Sequence, residues 1–579
     1  MSQVWITDRP PSPRYPLYTR ANAGEILPRP VSPLGWTAVW QRGTVPGLAD
    51  SHIRWGSFHP DELPPENAPV FQTFGGYMFT NWTILRMLGE RTPGLSAKIL
   101  DDAYFGDHPD LTPFEPPPDI DRADLAEKLD ATMRFIVSQH AMPAELDDGR
   151  ALALRVRGER PDFATTSDTD LARRVLYLAG PLRELFNPYC YYGTAVSFAL
   201  GPLTMLCAES DSTLNAALMS GIGNVDSVPP SQAIWDLGRL VRASPALTAQ
   251  FDAGLSGLDA RLRADAEGAS FSGAVAQVRT EHGARGPTEW DIACPTWETD
   301  PNLVLALVDR LRLADDSASP AARQARTKAV RAEALAKLKS HFIGRDDKQA
   351  EIDHAMRLAD IYVPAREKTK LSQMIVVHEV RLAADELGRR LAERGQLDDP
   401  RLIMMATADE LEQLIASPGE LVDELRRRRR RYDELAGLQE PFFVDGVAPD
   451  ISSWPTRGGA TEAVSVGDVL QGVAGGPGVV TGVARIVRDP GDPRGLEPGE
   501  ILVAPITDPA WTPLFVAAGG VVVEVGAPMS HAMIVSRGLG IPCVTGIVGA
   551  TSRIVDGTLL QVDGSAGTVT VLERASTPR

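Results

Sequence analysis

Residues Gly519–Gly546 read GGVVVEVGAPMSHAMIVSRGLGIPCVTG, and this stretch decides the reading of the 579-residue chain. GGVVVEV predicts a strand, GAPMS a turn of small residues, and HAMIVSRGL a short apolar helix that GIP closes. His531 then stands at the first turn of that helix, where free backbone N–H groups favour an anion. Ser530 is placed to cap the helix and to donate its hydroxyl to a phosphate oxygen. Gly526 lies where backbone can approach an anion closely. An imidazole that is neutral near pH 7 is nucleophilic and can form a phosphoramidate. A histidine that only caps its helix is the alternative, and these residues alone leave both open.

Working outward, the runs GVVTGVARIV, EILVAPI, PCVTGIV and TLLQVDGSAGTVTVL predict further strands separated by glycine turns. Residues 469–579 are therefore expected to form a compact α/β domain. Before it, 446–468 is rich in Pro, Gly, Ser and Thr without helical period, the composition of a flexible linker. Residues 1–445 are expected to be mostly helical. ADLAEKLDATMRFIVSQHA, PSQAIWDLGRLVRA and VVHEVRLAADELGRRLAERG each space apolar residues at three and four. The first 120 or so residues, rich in proline and aromatics, predict irregular structure and short helices around a core. Asp168 or Asp170 is a candidate cap for the helix that follows.

Composition bounds the function. A net charge of -18 argues against a nucleic-acid surface, while leaving local basic residues able to hold an anionic substrate. Four cysteines without CxxC spacing exclude a disulfide framework or zinc site and fit a cytoplasmic protein. The polar, proline-rich N-terminus is no signal peptide. Asn187–Ala208 carries no charge, but its glycines, proline and tyrosines read as one buried helix or two abutting ones, not a membrane segment. Six consecutive arginines, 426–431, read as a solvated helix face among Asp423, Glu424, Asp433 and Glu434.

With Ser530, His531, Arg537, Gly540, Ile541 and Pro542, the opening stretch resembles the phosphohistidine segment of the phosphoenolpyruvate-utilising enzyme family. Gly538 departs from the family's usual glutamate, and Met529 from its common threonine. YTRANAGEILPRPVSPLGW near the N-terminus is similar to the start of the substrate domain of rifampin-phosphotransferase-like members. HGARGPTEWDIACPTWETDP is similar to another segment of that domain and supplies Arg285, Glu289 and Asp291 as substrate-binding candidates; Ala284 and Thr296 depart from it. AREKTK resembles the family's Arg-Glu-x-x-Lys element and supplies Arg366, Glu367 and Lys370. Arg366 and Lys370, four apart on a helix, emerge from one face and suit a phosphoryl clamp. Glu367 suits orienting the lysine or accepting a proton.

The resemblance implies a helical acceptor-substrate domain followed by a swivelling phosphohistidine domain, and a phosphotransferase that carries phosphate on His531. Neither a glycine-rich phosphate loop followed by lysine nor an ATP-grasp segment is evident, and the chain ends soon after the last expected strand. The donor site is therefore expected on a separate ATP-grasp subunit, with ATP as donor and Mg2+ beside it. The expected acceptor is a hydroxyl of a small organic molecule, with no metal site on this chain. Aromatic residues near FQTFGGYMFTNW hint at a flat acceptor, and core packing explains them equally. Two rivals remain: phosphorylation that drives dehydration or condensation in biosynthesis, and a non-catalytic relay or regulatory partner.

Overall fold

Gly75 and Gly76, with φ of 59° and 77°, make the two-residue turn of a hairpin in which β2 (Phe71–Phe74) pairs with β3 (Tyr77–Asn81). Positive φ at both positions is what this tight turn demands. The Asp8 carboxylate accepts from the N–H groups of Gly75 (2.8 Å) and Gly76 (3.0 Å), and burial pushes its pKa up to about 6. With β1 (Leu17–Thr19) and β4 (Phe443–Asp445) the hairpin forms a sheet ordered β2-β3-β1-β4. The N-terminal region thus holds strands where irregular structure was expected, because these strands are only three to five residues long and give little periodicity. Its aromatics serve the core: Phe71 packs edge-on against Trp40 at 5.5 Å and Phe74 against Tyr18 at 5.3 Å.

The computed structural model describes residues 5–575 except 106–107, 109, 212–213, 224–225, 227, 317–318, 458–462, 489–495, 508–510 and 527–529. The helices needed below are α1 (Ala179–Ser210), α2 (Val228–Ala243), α3 (Pro301–Leu313), α4 (Pro320–His341), α5 (Asp346–Glu393), α6 (Pro418–Ala436), α7 (Thr512–Ala517) and α8 (His531–Leu539). Asn187–Ala208 lies within the single helix α1. Residues 168–210 form the one stretch among those described that is long and apolar enough to cross a membrane, and 44% of its most apolar window is buried. Ser167, not either aspartate, caps the preceding helix by accepting from Asp170 N. In α6 the arginine run pairs along the helix, Arg426 with Asp423, Arg429 with Asp433 and Arg431 with Glu434. Arg428 departs from the expected solvated face: it turns inward to Glu410 and is 8% exposed.

The chain divides into two compact units, one of residues 1–197, 289–294 and 365–457, the other of 198–288, 295–364 and 458–579. This differs from a division at 445 and 469. α1 and α5 each run from one unit into the other, so the change of unit occurs inside continuous helices; in α5 it falls at Pro364, which has no N–H to give to its helical turn. Part of the expected linker is packed: Trp454 is buried against Tyr77, with ring centroids 6.0 Å apart.

The second unit contains the expected C-terminal α/β domain. Its sheet runs β5-β12-β11-β7-β8-β9-β10-β6, with strands β5 (Val469–Gln471), β6 (Val473–Gly476), β7 (Val479–Ile486), β8 (Ile501–Ala504), β9 (Gly520–Val523), β10 (Cys543–Thr545), β11 (Leu559–Asp563) and β12 (Thr568–Glu573). β7, β8, β9 and β10 are parallel, in register Leu502↔Val521 and Val521↔Cys543. β8 and β9 are buried on both faces, which is why they read as continuous apolar runs, whereas β11 and β12 alternate. One face packs Ile501, Val503 and Val522; the other packs Leu502, Val521 and Phe515 with Ala532 of α8.

Candidate phosphohistidine and acceptor sites

α8 begins at His531 because Ser530 takes extended geometry (φ -66°, ψ 158°) and its hydroxyl accepts from Met533 N. It ends at Gly540, whose φ of 66° is left-handed and suits a residue without Cβ. Ala532, Met533 and Ser536 form its buried face, and Arg537 Nε donates to the Gly475 carbonyl of β6 at 2.8 Å. Arg537 is thus an anchor for the helix. Burial lowers its pKa.

The half-buried His531 ring is fixed on two sides. Its Nδ1 lies 3.2 Å from the Thr507 hydroxyl, and Phe515 meets it edge-on with centroids 5.8 Å apart. Thr507 is 2% exposed. Sequence reasoning missed Thr507: it lies 24 residues away, after β8, and only the pairing of β8 with β9 brings it to the helix start. Gly526 closes the other side. A Cβ there would stand 2.9 Å from Thr545 Cβ and 3.1 Å from Ser530 Oγ, so these two side chains leave little room for any residue but glycine. Met529 lies outside the described residues.

The basic element lies on α5, in the other unit. Lys370 Nζ is 3.4 Å from Glu289 Oε1, and their side chains are 16% and 1% exposed. The loop carrying Glu289 is pinned under the same helix by Arg381, whose guanidinium donates to the carbonyls of Glu289 (2.8 Å) and Asp291 (3.0 Å). Asp291 is engaged in the scaffold: it accepts from Ser32 Oγ (2.9 Å) and from Ala293 N (2.9 Å). Thr288, immediately before Glu289, has φ 51°, an uncommon conformation for a β-branched residue.

Arg366 stands one turn before Lys370. Burial works against its charge, but Tyr189, Glu367, Tyr104 and Glu25 around it outweigh that and raise its pKa. Tyr189 is hydrogen-bonded to Arg366, and burial pushes the phenol's pKa up to about 12. The Tyr189 ring packs against Phe186 (5.4 Å) and Trp290 (6.1 Å), which fixes the phenol that meets Arg366. Tyr104, Tyr189 and Glu25 were not singled out by sequence; Glu25 sits in the NAGEILP segment without any local mark of its role. Of the nine proposed site residues, the structure brings Arg366, Glu367, Lys370, Glu289 and Asp291 into one unit, and Gly526, Ser530 and His531 into the other. Arg285 also belongs to the second unit, donating to the Asp226 carbonyl at 3.4 Å. Among the described residues, no three His, Cys, Asp or Glu side chains gather as a metal site.

Residues 496–567 match the family model described as the PEP-utilising enzyme mobile domain, and residues 190–367 match the rifampicin phosphotransferase fourth domain. A rifampicin phosphotransferase of Streptomyces sviceus is 30% identical over 370 residues, 61% of this chain and 40% of that one. An uncharacterised protein of Mycobacterium tuberculosis is 34% identical over 310 residues, 54% of this chain and 32% of that one. The prodigiosin synthesizing transferase of Serratia marcescens is 27% identical over 442 residues, 72% of this chain and 48% of that one. The chain therefore spans between about a third and a half of the length of these relatives.

Proposed function

We propose that this chain, which carries two modules of the phosphoenolpyruvate-utilising enzyme family, is a cytoplasmic phosphotransferase component that loads and delivers a phosphoryl group on His531. The observation that carries the reading is His531 itself: a ring held by Thr507 at the start of a Ser530-capped helix, within the match to the mobile domain. In the tautomer that donates from Nδ1 to Thr507, the lone pair lies on Nε2, which attacks the phosphorus while the P–O bond to the leaving nucleotide breaks. Backbone N–H groups at the helix start and the Ser530 region stabilise the transferred charge. In the second transfer an acceptor hydroxyl attacks, the P–N bond breaks, and Arg366 and Lys370 clamp the equatorial oxygens. Glu367 is assigned to take the hydroxyl proton. Arg285, Glu289 and Asp291 are assigned to shaping the acceptor side, Glu289 by holding Lys370.

The donor is proposed to be ATP on a separate ATP-grasp subunit, with Mg2+ neutralising its phosphates there. The test is phosphate labelling of the chain with the donor subunit and labelled ATP. Acid-labile, base-stable label is expected, and it should vanish in His531→Ala; equal labelling of that variant refutes the proposal. Calorimetry on the isolated chain is expected to give no micromolar ATP binding, and tight binding overturns the two-subunit reading.

A second outcome, in which the phosphoryl group activates an oxygen for condensation, is favoured by the similarity to a synthesizing transferase across 72% of this chain. Product analysis separates the two: a stable phosphate ester in one case, free phosphate with a new carbon–heteroatom or carbon–carbon bond in the other.

A further inference from the structure

Arg323, in the first turn of α4, is 9% exposed and donates to the carbonyls of Phe515 (3.5 Å) and Val516, at the C-terminal end of α7. Val516 enters the apolar cluster of Trp235, Val304, Val308 and Leu311 on α2 and α3. Leu539, at the end of α8, packs against both that cluster and the one beside the sheet. Within one unit, the contacts between the helices of residues 198–364 and the domain bearing His531 thus include a buried cation and the apolar side chains of Val516 and Leu539.

Among the described residues no carboxylate pairs with Arg323. Its compensation comes from carbonyls at a helix C-terminus, which carry about half a negative charge. Burial and the neighbouring Arg326 lower its pKa to about 10. A buried guanidinium balanced by dipoles alone gains little net free energy, which suits a contact made to be released. Phe515, whose carbonyl is one of the two acceptors in this contact, also meets the His531 ring edge-on, so the contact bears on the histidine's own packing.

We propose that α2, α3 and α4 form a docking surface for the phosphohistidine domain of the same chain, with Arg323 as its latch. The docked arrangement is a resting position, released when His531 travels between donor and acceptor. The purpose of the latch rests on the proposed function, but its existence does not, and the test reads motion without chemistry. Hydrogen exchange of the full chain is compared for wild type, Arg323→Ala and Arg323→Lys. Loss of a charged hydrogen bond should accelerate exchange at residues 514–518 and 539–541 by about tenfold in Arg323→Ala, with a smaller rise in Arg323→Lys. Exchange in β8, β9 and α5 should stay at wild-type rates. Unchanged exchange at 514–518 overturns the latch. So does acceleration spread through α2–α4 and the sheet, which makes Arg323 a general element of the fold. Failure of His531 labelling beside a positive exchange result removes the phosphotransfer reading and leaves the dock standing.

Discussion

Replacing Lys370 separates a phosphoryl clamp from a mere counter-ion. At 3.4 Å from a carboxylate that is 1% exposed, the ammonium contributes roughly 5 kcal/mol of attraction at an effective dielectric of about 20. The stability lost on removing it is smaller than that, because Glu289 has a further contact besides this one. Lys370→Met is therefore expected to lose about 3 kcal/mol in urea unfolding. Glu289→Gln should lose about 1 kcal/mol, since Lys370 keeps 16% exposure and can turn to water. The double variant, with neither charge, should recover most of the loss. Onward transfer is expected to behave differently. With the donor subunit present, both Lys370→Met and the double variant should accumulate phospho-His531 while product formation falls about a hundredfold, the worth of roughly 3 kcal/mol of transition-state stabilisation. Protein-bound label and product are followed in one reaction. If the double variant regains both stability and turnover, Lys370 only neutralises Glu289 and the clamp assignment is wrong.

Thr507→Val keeps the shape beside His531 and removes the hydroxyl at Nδ1; loading by labelled ATP should slow about tenfold with unchanged unfolding midpoint, a loss of one hydrogen bond at the reacting ring. His52 provides a pH test. Burial lowers its pKa from 6.5 to about 4, so the unfolded chain takes up the proton first as pH falls. Its contribution to stability is present above pH 6.5 and disappears as the pH drops toward 4. Between pH 7 and pH 5 this costs about 2 kcal/mol, and His52→Asn should remove that part of the pH dependence; an identical pH profile in the variant contradicts it.

Much of the His531 site was legible locally. A cap hydroxyl, an apolar helical period and a closing glycine act over a few residues, so Ser530, His531 and Gly540 could be placed from the chain alone. The N-terminal strands were not legible, being too short for a period, and neither was Arg428's turn inward within a run of identical residues.

What the sequence by itself determined is therefore the set of elements whose physics is short-ranged: the α8 helix with its cap, the apolar strands, the four-residue spacing of Arg366 and Lys370. Only the tertiary structure decided which partners those residues meet. Thr507 at the histidine ring, Tyr189 at Arg366, Glu289 at Lys370 and the α7 carbonyls at Arg323 are separated from them by 24, 177, 81 and nearly 200 residues. No local pattern carries such pairings, because burial and charge at each position are set by whatever segment the fold brings alongside.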